Sequence, residues 1–75
     1  MKFKELGTLV KEARKAQRLT QLELQDLSGV SASVIYKLEN GRTDVALGSL
    51  LAVSEALGIE VTAKSPLGKE IKLHG

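Results

Sequence analysis

The stretch of residues 20–41 limits the fold of this chain most, because it carries start and stop signals for two short helices. Thr20 and Glu23 have the spacing of a capping box, in which each residue satisfies a backbone N–H of the other at a helix start. Gly29 tolerates the left-handed conformation that ends a helix, and Ser31 can cap a second one. The stretch therefore predicts two helices joined by a tight turn.

Apolar residues give both helices a face for the core. The first helix is predicted at about residues 21–28, and the second at about residues 32–39, ended by Gly41. The side chains expected in the core are those of Leu24, Leu27, Val34, Ile35 and Leu38.

Periodicity predicts three further elements around this pair. Apolar residues at steps of three and four indicate amphipathic helices over residues 3–17 and 48–57. In the first of these helices the apolar stripe comprises Phe3, Leu6, Leu9 or Val10, Ala13 and Ala16. In the second it comprises Leu47, Leu50, Leu51, Ser54 and Leu57. After Gly58 the period changes to two, which predicts a β-hairpin over residues 59–73 with its turn at residues 65–68.

The composition excludes several classes of protein. Seventy-five residues allow one domain with a small core, and the absence of cysteine removes disulfides and thiolate metal sites. No apolar run approaches the roughly 18 residues of a membrane span and no signal peptide is visible, so we expect a soluble, cytoplasmic protein. The single histidine, His74, lies beside the C-terminus, and no nucleophile–base pair is apparent. We therefore expect no enzyme, no cofactor and no metal.

The charge distribution is more informative than the net charge of +2. Lys11, Arg14, Lys15 and Arg18 fall within eight residues, and Arg42 follows the second helix of the central pair. A solvated helix face and a polyanion-binding face both fit this pattern. Binding to a membrane surface fits less well, because the first helix also carries acids and few aromatic residues.

The succession of cap, helix, glycine turn, cap and helix is a helix-turn-helix. It resembles the phage-repressor-type (Cro/C1, XRE) family, and within that family the HipB-like antitoxin regulators. The motif residues that carry the resemblance are Leu19, Thr20, Gln21, Glu23, Leu24, Gly29, Val30, Ser31, Ile35, Leu38, Glu39 and Gly41. The segments at residues 47–51 and 57–58 match the next helix, and the tail matches only in general character.

The resemblance implies a mostly α fold: a compact four-helix lambda-repressor-like domain over residues 1–58, followed by a β-hairpin over residues 59–75. One position departs from the family pattern. Gln25 stands where the family usually has a small alanine at the crossing of the two helices. Its amide must point outward or find a partner.

The resemblance also implies a transcriptional regulator, with the second helix of the motif in the major groove of operator DNA. The residues expected at base edges are Ala32, Ser33, Tyr36 and Lys37, and Lys37 is the best candidate for guanine. The residues expected at phosphates are Gln21, Ser31, Asn40 and Arg42. Simpler alternatives stay open: a surface aromatic at Tyr36, a helix cap at Ser31, and an ordinary helix end at Asn40 and Arg42.

Family members pair the positions of Arg14 and Glu39, so we expect a partly buried ion pair between them. The hairpin should make a homodimer through Ile59, Val61, Ile71 and Leu73, because two strands alone are marginal in water. The alternative is a dimer through the last helix at Ala46, Leu47 or Leu50. The resemblance further implies a HipA-like kinase toxin as a partner. The rival function is a helix-turn-helix adaptor that binds protein and no DNA.

Overall fold

The computed structural model describes residues 3–74, and within them four α-helices precede a two-stranded antiparallel sheet. The elements are α1 (Phe3–Ala16), α2 (Gln21–Ser28), α3 (Ala32–Glu39), α4 (Leu47–Leu57), β1 (Val61–Lys64) and β2 (Glu70–Leu73). The predicted fold class is confirmed. Of the predicted ranges, residues 1, 2 and 75 lie outside the described part of the chain.

The caps predicted around α2 and α3 are present. Thr20 Oγ1 accepts a hydrogen bond from the Glu23 N–H at 3.0 Å, and Glu23 Oε1 accepts one from the Thr20 N–H at 2.9 Å. Gly29 has φ 75°, and Ser31 Oγ accepts from the Val34 N–H at 3.3 Å. The turn between the helices is therefore fixed by local signals.

The core lies between the four helices. Its buried apolar side chains are Val10, Leu24, Val30, Ile35, Leu38, Val53 and Leu57. Leu27, predicted in the core, is 62% exposed. It borders an open groove between α2 and α4, where Ala52 and Ala56 are too small to cover it. Leu47 is also exposed, because α4 packs inward through residues further along the helix.

The buried stripe of α1 is displaced by one residue from the apolar prediction. Gly7, Val10 and Arg14 face inward, whereas Phe3 and Leu9 are about half exposed and Ala16 is exposed. A pattern search for apolar residues misses this face, since a glycine and an arginine occupy two of its three positions. Val10, rather than Leu9, is thus the core residue.

Gly7 allows α1 to approach the end of α3 closely. A Cβ at Gly7 would lie 2.5 Å from the Leu38 carbonyl oxygen and 2.7 Å from that of Glu39. Gly41, at φ 73°, has equally little room, because its Cβ would lie 2.7 Å from the Lys4 Cα. The two glycines therefore set how α3 sits on α1.

The hairpin carries one apolar face, and the four residues of its turn, 65–68, are exposed. Val61 pairs with Leu73 and Ala63 with Ile71, which places these four side chains on the same side of the sheet. Ile59, expected in a dimer interface, is half-buried against the helical core of its own chain, and its place in a dimer stays a prediction. Within residues 3–74, none of the helices has the length and apolar character needed to cross a bilayer.

Candidate nucleic-acid interface

The outer face of α3 is formed by the four residues predicted to read bases. Ile35 and Leu38 fix the helix to the core, so Ser33 and Tyr36 face outward and Ala32 and Lys37 are partly exposed. Tyr36 is 60% exposed and does not pack as a core aromatic. The face combines a methyl group, a hydroxyl, a phenol and an ammonium, which are groups that can contact base edges and methyls.

The Gln25 side chain is hydrogen-bonded to the backbone at the start of α3. Its Oε1 accepts a hydrogen bond from the Ala32 N–H at 2.8 Å, so a side chain of α2 caps the first turn of α3. The two hydroxyls of Ser31 and Ser33 lie 3.1 Å apart. The departure from the family pattern thus adds a link between the two helices of the motif, and the Ala32 N–H is no longer free for a phosphate.

A buried network holds α3 to α1 and to the start of α2. Arg14 donates from Nε to Glu39 Oε2 at 2.7 Å and from Nη2 to Glu39 Oε1 at 2.9 Å, so the expected ion pair is present and bidentate. Arg14 Nη1 also donates to the Leu19 carbonyl at 2.8 Å. The hydrogen bond to Glu39 raises the pKa of Arg14, although burial opposes the shift. The network fixes the orientation of the outer face of α3.

Gln21 belongs to this network through its side chain. Its Nε2 donates to Glu39 Oε1 at 3.2 Å, so the amide turns inward from the start of α2. The backbone N–H of Gln21, in the first turn of α2, is the group of this residue that can meet a phosphate.

The end of α3 brings Asn40 and Arg42 beside the outer face. The Gly41 N–H donates to Leu38 O and the Arg42 N–H to Lys37 O at 3.0 Å, which is a Schellman ending. Asn40 Nδ2 donates to the Tyr36 carbonyl at 2.7 Å. This turn brings Arg42 back to Lys37, since the Arg42 N–H is bonded to the Lys37 carbonyl.

Asp44 is a member of the site that sequence reasoning missed. Its Oδ2 lies 3.6 Å from Lys37 Nζ and 3.2 Å from Arg42 Nη2. A hydrogen bond from its own backbone N–H, followed by the charges of Arg42 and Lys37, lowers the pKa of Asp44. The available signal was an acid two residues after Arg42 in a short loop.

The basic cluster of the first helix is divided in the structure. Arg14 is buried in the ion pair, while Lys11, Lys15 and Arg18 remain exposed. Among the described residues no group of three His, Cys, Asp or Glu side chains is arranged to hold a metal ion.

Comparison with known proteins matches this arrangement to a family. The sequence model described as helix-turn-helix matches residues 10–63. The chain belongs to the helix-turn-helix family. An immunity repressor protein of Bacillus phage phi105 is 38% identical over 58 residues, which cover 77% of this chain and 40% of that protein. An uncharacterized HTH-type transcriptional regulator of Sinorhizobium fredii, y4mF, is 36% identical over 62 residues, 83% of this chain and 82% of the relative.

A solved structure shows the same helix-turn-helix architecture. The restriction-modification controller protein C.AhdI from Aeromonas hydrophila superposes with a TM-score of 0.68 at 34% identity, covering 77% of this chain and 84% of that one. The phage repressor is longer, since the chain spans only two fifths of its length. The predicted phage-repressor-type family is therefore confirmed, and its matched members are transcriptional regulators and a controller protein.

Proposed function

We propose that this chain is a sequence-specific DNA-binding repressor that binds a palindromic operator as a homodimer, with one α3 in the major groove of each half-site. The observation that carries the proposal is the outer face of α3, held outward by Ile35 and Leu38 and oriented by the bidentate Arg14–Glu39 pair. Membership of a family whose matched members are transcriptional regulators supports it. Helices of this kind place their N-terminal residues at base edges.

In this proposal the residues of the outer face read bases, and the residues that flank it in the chain bind phosphates. Lys37 reads guanine through O6 or N7, and Ala32, Ser33 and Tyr36 make the weaker base contacts. Phosphates are bound by the backbone N–H of Gln21 and by Ser31, Asn40 and Arg42. These contacts set the register of the protein on the duplex.

Salt dependence separates this function from that of a protein-binding adaptor. Gel shifts of the full chain on genomic fragments should weaken steeply as salt rises, because binding that neutralises phosphates releases counterions. A protein-binding adaptor would give no salt-dependent gel shift at any salt concentration at which the chain stays folded. That result would overturn the proposed function.

Two substitutions test the assignment of tasks. Arg42→Ala should weaken binding to all sequences and reduce the salt slope by about one unit. Lys37→Ala should instead relax the preference at one base pair per half-site, by about 1–3 kcal/mol. Selection from randomised operators measures the second effect, and an unchanged preferred sequence would remove Lys37 from the base-reading set.

The homodimer is assigned to the hairpin. Its apolar face at Val61, Ala63, Ile71 and Leu73 is too small for a core, and the main contacts of each strand are with the other strand. Pairing with a second copy would cover this face and set two recognition helices about 34 Å apart, as two half-sites require. The exposed Leu47 supports the alternative dimer through α4.

Truncation distinguishes these dimers. A chain ending at Glu60 keeps Ile59, which packs on the helical core, and loses both strands. We expect this chain to sediment as a monomer at micromolar concentration and to bind a two-half-site operator weakly. A truncated chain that stays dimeric would assign the interface to α4.

The finer assignment is the antitoxin of a HipBA-like operon, which rests on the resemblance of the tail to HipB-like regulators. Its test is co-purification with the product of the adjacent gene, expected to be a HipA-like kinase. An adjacent restriction enzyme would instead favour a controller role like that of the structural relative.

A further inference from the structure

One carboxylate contacts two of the cations that the proposed function assigns to DNA. Asp44 Oδ2 lies within 4 Å of both Lys37 Nζ and Arg42 Nη2, at 3.6 and 3.2 Å. Asp44 is about half exposed, as are the two cations, so the cluster lies open at the end of the outer face of α3. Lys37 is the proposed guanine reader and Arg42 a proposed phosphate contact.

We propose that Asp44 is a specificity-determining residue, whose carboxylate competes with DNA for Lys37 and Arg42 and thereby penalises binding to non-operator sequences. The inference rests on the proposed function, which supplies the tasks of the two cations. It assigns to the loop after α3 a role in rejecting the wrong DNA, beyond the contacts that bind the right one.

The backbone keeps the carboxylate where it competes. The Arg42 N–H bonds to the Lys37 carbonyl, which holds the start of the loop against the last turn of α3. Asp44 follows Arg42 by two residues, and its Oδ2 accepts a hydrogen bond from Arg42 Nη2 at 3.2 Å. The negative charge therefore stays beside the cations when a duplex approaches.

The weakness of the ion pairs allows the operator to displace Asp44. Exposed pairs of this kind stabilise little, and a short hydrogen bond from Lys37 to guanine can replace a contact of 3.6 Å. Non-operator DNA offers Lys37 only the diffuse attraction of phosphates. There the Lys37–Asp44 pair survives, and the carboxylate adds repulsion against the phosphate backbone near Arg42.

The test compares Asp44→Asn with Asp26→Asn in the full chain. Asp26 lies exposed on α2, and both substitutions change the net charge by the same single unit. Affinities for the selected operator and for a scrambled duplex of equal length are measured across a salt series. Asp44→Asn should tighten binding to the scrambled duplex by about two- to tenfold and steepen its salt slope by up to about one unit.

The operator should gain less, so that the ratio of operator to scrambled affinity falls in Asp44→Asn and stays near the wild-type ratio in Asp26→Asn. Weaker operator binding by Asp44→Asn would show that Asp44 positions Lys37 and Arg42, and would overturn the proposal. Equal gains from both variants would reduce the effect to net charge and overturn it as well. Failure of the wild-type chain to bind any DNA would overturn the proposed function itself, which Asp44→Asn alone does not test.

Discussion

The helices and the hairpin hold their side chains in different ways. The helices share a core in which Val10, Leu24, Ile35 and Val53 are fully buried, and a bidentate ion pair is buried beside it. In the hairpin most residues are exposed, and its ion pair, Lys72 Nζ to Glu60 Oε1 at 2.8 Å, lies at the surface. The stability of one chain should therefore reside in the helices.

This difference separates two requirements of the proposed function. A recognition helix must be held in a fixed orientation by its own chain, which the core and the Arg14–Glu39 pair achieve. A dimerising element needs a free apolar face, which the hairpin retains. Substitutions in the two regions should accordingly affect different measurements.

The largest effect is expected from Glu39→Ala in the helical region. The Arg14 and Glu39 side chains are 11% and 2% exposed, so the substitution leaves a buried guanidinium without its carboxylate. Breaking a buried pair in this way costs on the order of 3–5 kcal/mol. Thermal unfolding followed by circular dichroism should show a large fall in Tm, or no folded state.

Two further variants serve as controls for this pair. Glu39→Gln keeps a hydrogen-bond acceptor and should be destabilised less than Glu39→Ala. The double variant Arg14→Leu/Glu39→Leu removes both charges and should also be more stable than Glu39→Ala, since no uncompensated charge stays buried. An unchanged melting curve for Glu39→Ala would show that the pair does not fix α3.

The second prediction compares two helical glycines that receive the same methyl group. In Gly7→Ala the new Cβ would meet the Leu38 carbonyl oxygen at 2.5 Å, so α1 must move from α3. Overpacking of this kind costs about 1–3 kcal/mol, more than the gain in helix propensity. In Gly48→Ala nothing lies within 4 Å of the Cβ, and we expect stabilisation of up to about 1 kcal/mol.

Urea unfolding should show a lower free energy of unfolding for Gly7→Ala and a higher one for Gly48→Ala, and this contrast would sharpen the comparison. They would show that α1 and α3 are packed to contact while the start of α4 is open. If Gly7→Ala were stabilising, α1 and α3 would have room for a methyl group at their closest approach. The helical region would then be less tightly packed than its core suggests.

The sequence predicts the elements of this fold well because local signals set them. The capping box at Thr20, the cap at Ser31 and the glycine at position 29 fix α2 and α3 to the residue. The end of α1 is an exception, since Arg18 at φ 58° takes the left-handed position that usually belongs to glycine. An arginine in the sequence does not indicate a left-handed backbone position.

Tertiary contacts explain what the sequence does not predict. The buried face of α1 includes Gly7 and Arg14, which the apolar pattern cannot identify, and Leu27 faces a groove that small alanines leave open. In the site, the Gln25 side chain accepts a hydrogen bond from the Ala32 N–H. Asp44 forms ion pairs with Lys37 and Arg42. Such partners depend on distances between elements, which the spacing of residues along the chain does not contain.

The third prediction compares one apolar-to-threonine substitution in each region. Val53→Thr places a hydroxyl in the core and should cost about 1–3 kcal/mol, because the site is fully buried. Ile71→Thr changes a residue that is 51% exposed and keeps strand propensity, so monomer stability should change by less than about 0.5 kcal/mol. Denaturant unfolding of dilute protein measures both.

The same Ile71→Thr variant should weaken the proposed dimer in sedimentation experiments. A loss of monomer stability as large as that of Val53→Thr would break the comparison. It would show that the hairpin belongs to the cooperative core of a single chain.

The smallest expected effect is on the dependence of Tm on acid pH. The prediction compares a carboxylate of the helices, Glu23, with one of the hairpin, Glu60. The hydrogen bond from the Thr20 N–H lowers the pKa of Glu23, and the Lys72 ammonium lowers that of Glu60. A lowered folded-state pKa stabilises the folded protein at pH values above the unfolded-state pKa, about 4.3 for glutamate. This contribution is lost as the pH falls through the folded-state pKa.

Glu23→Gln keeps the capping hydrogen bond without titrating, so its helical Tm should fall less than that of the wild type over this acid range. Glu60→Gln should leave the acid dependence of the helical Tm unchanged, because protonation of Glu60 loosens only the hairpin. If Glu60→Gln altered that dependence as much as Glu23→Gln, hairpin and helices would unfold as one unit.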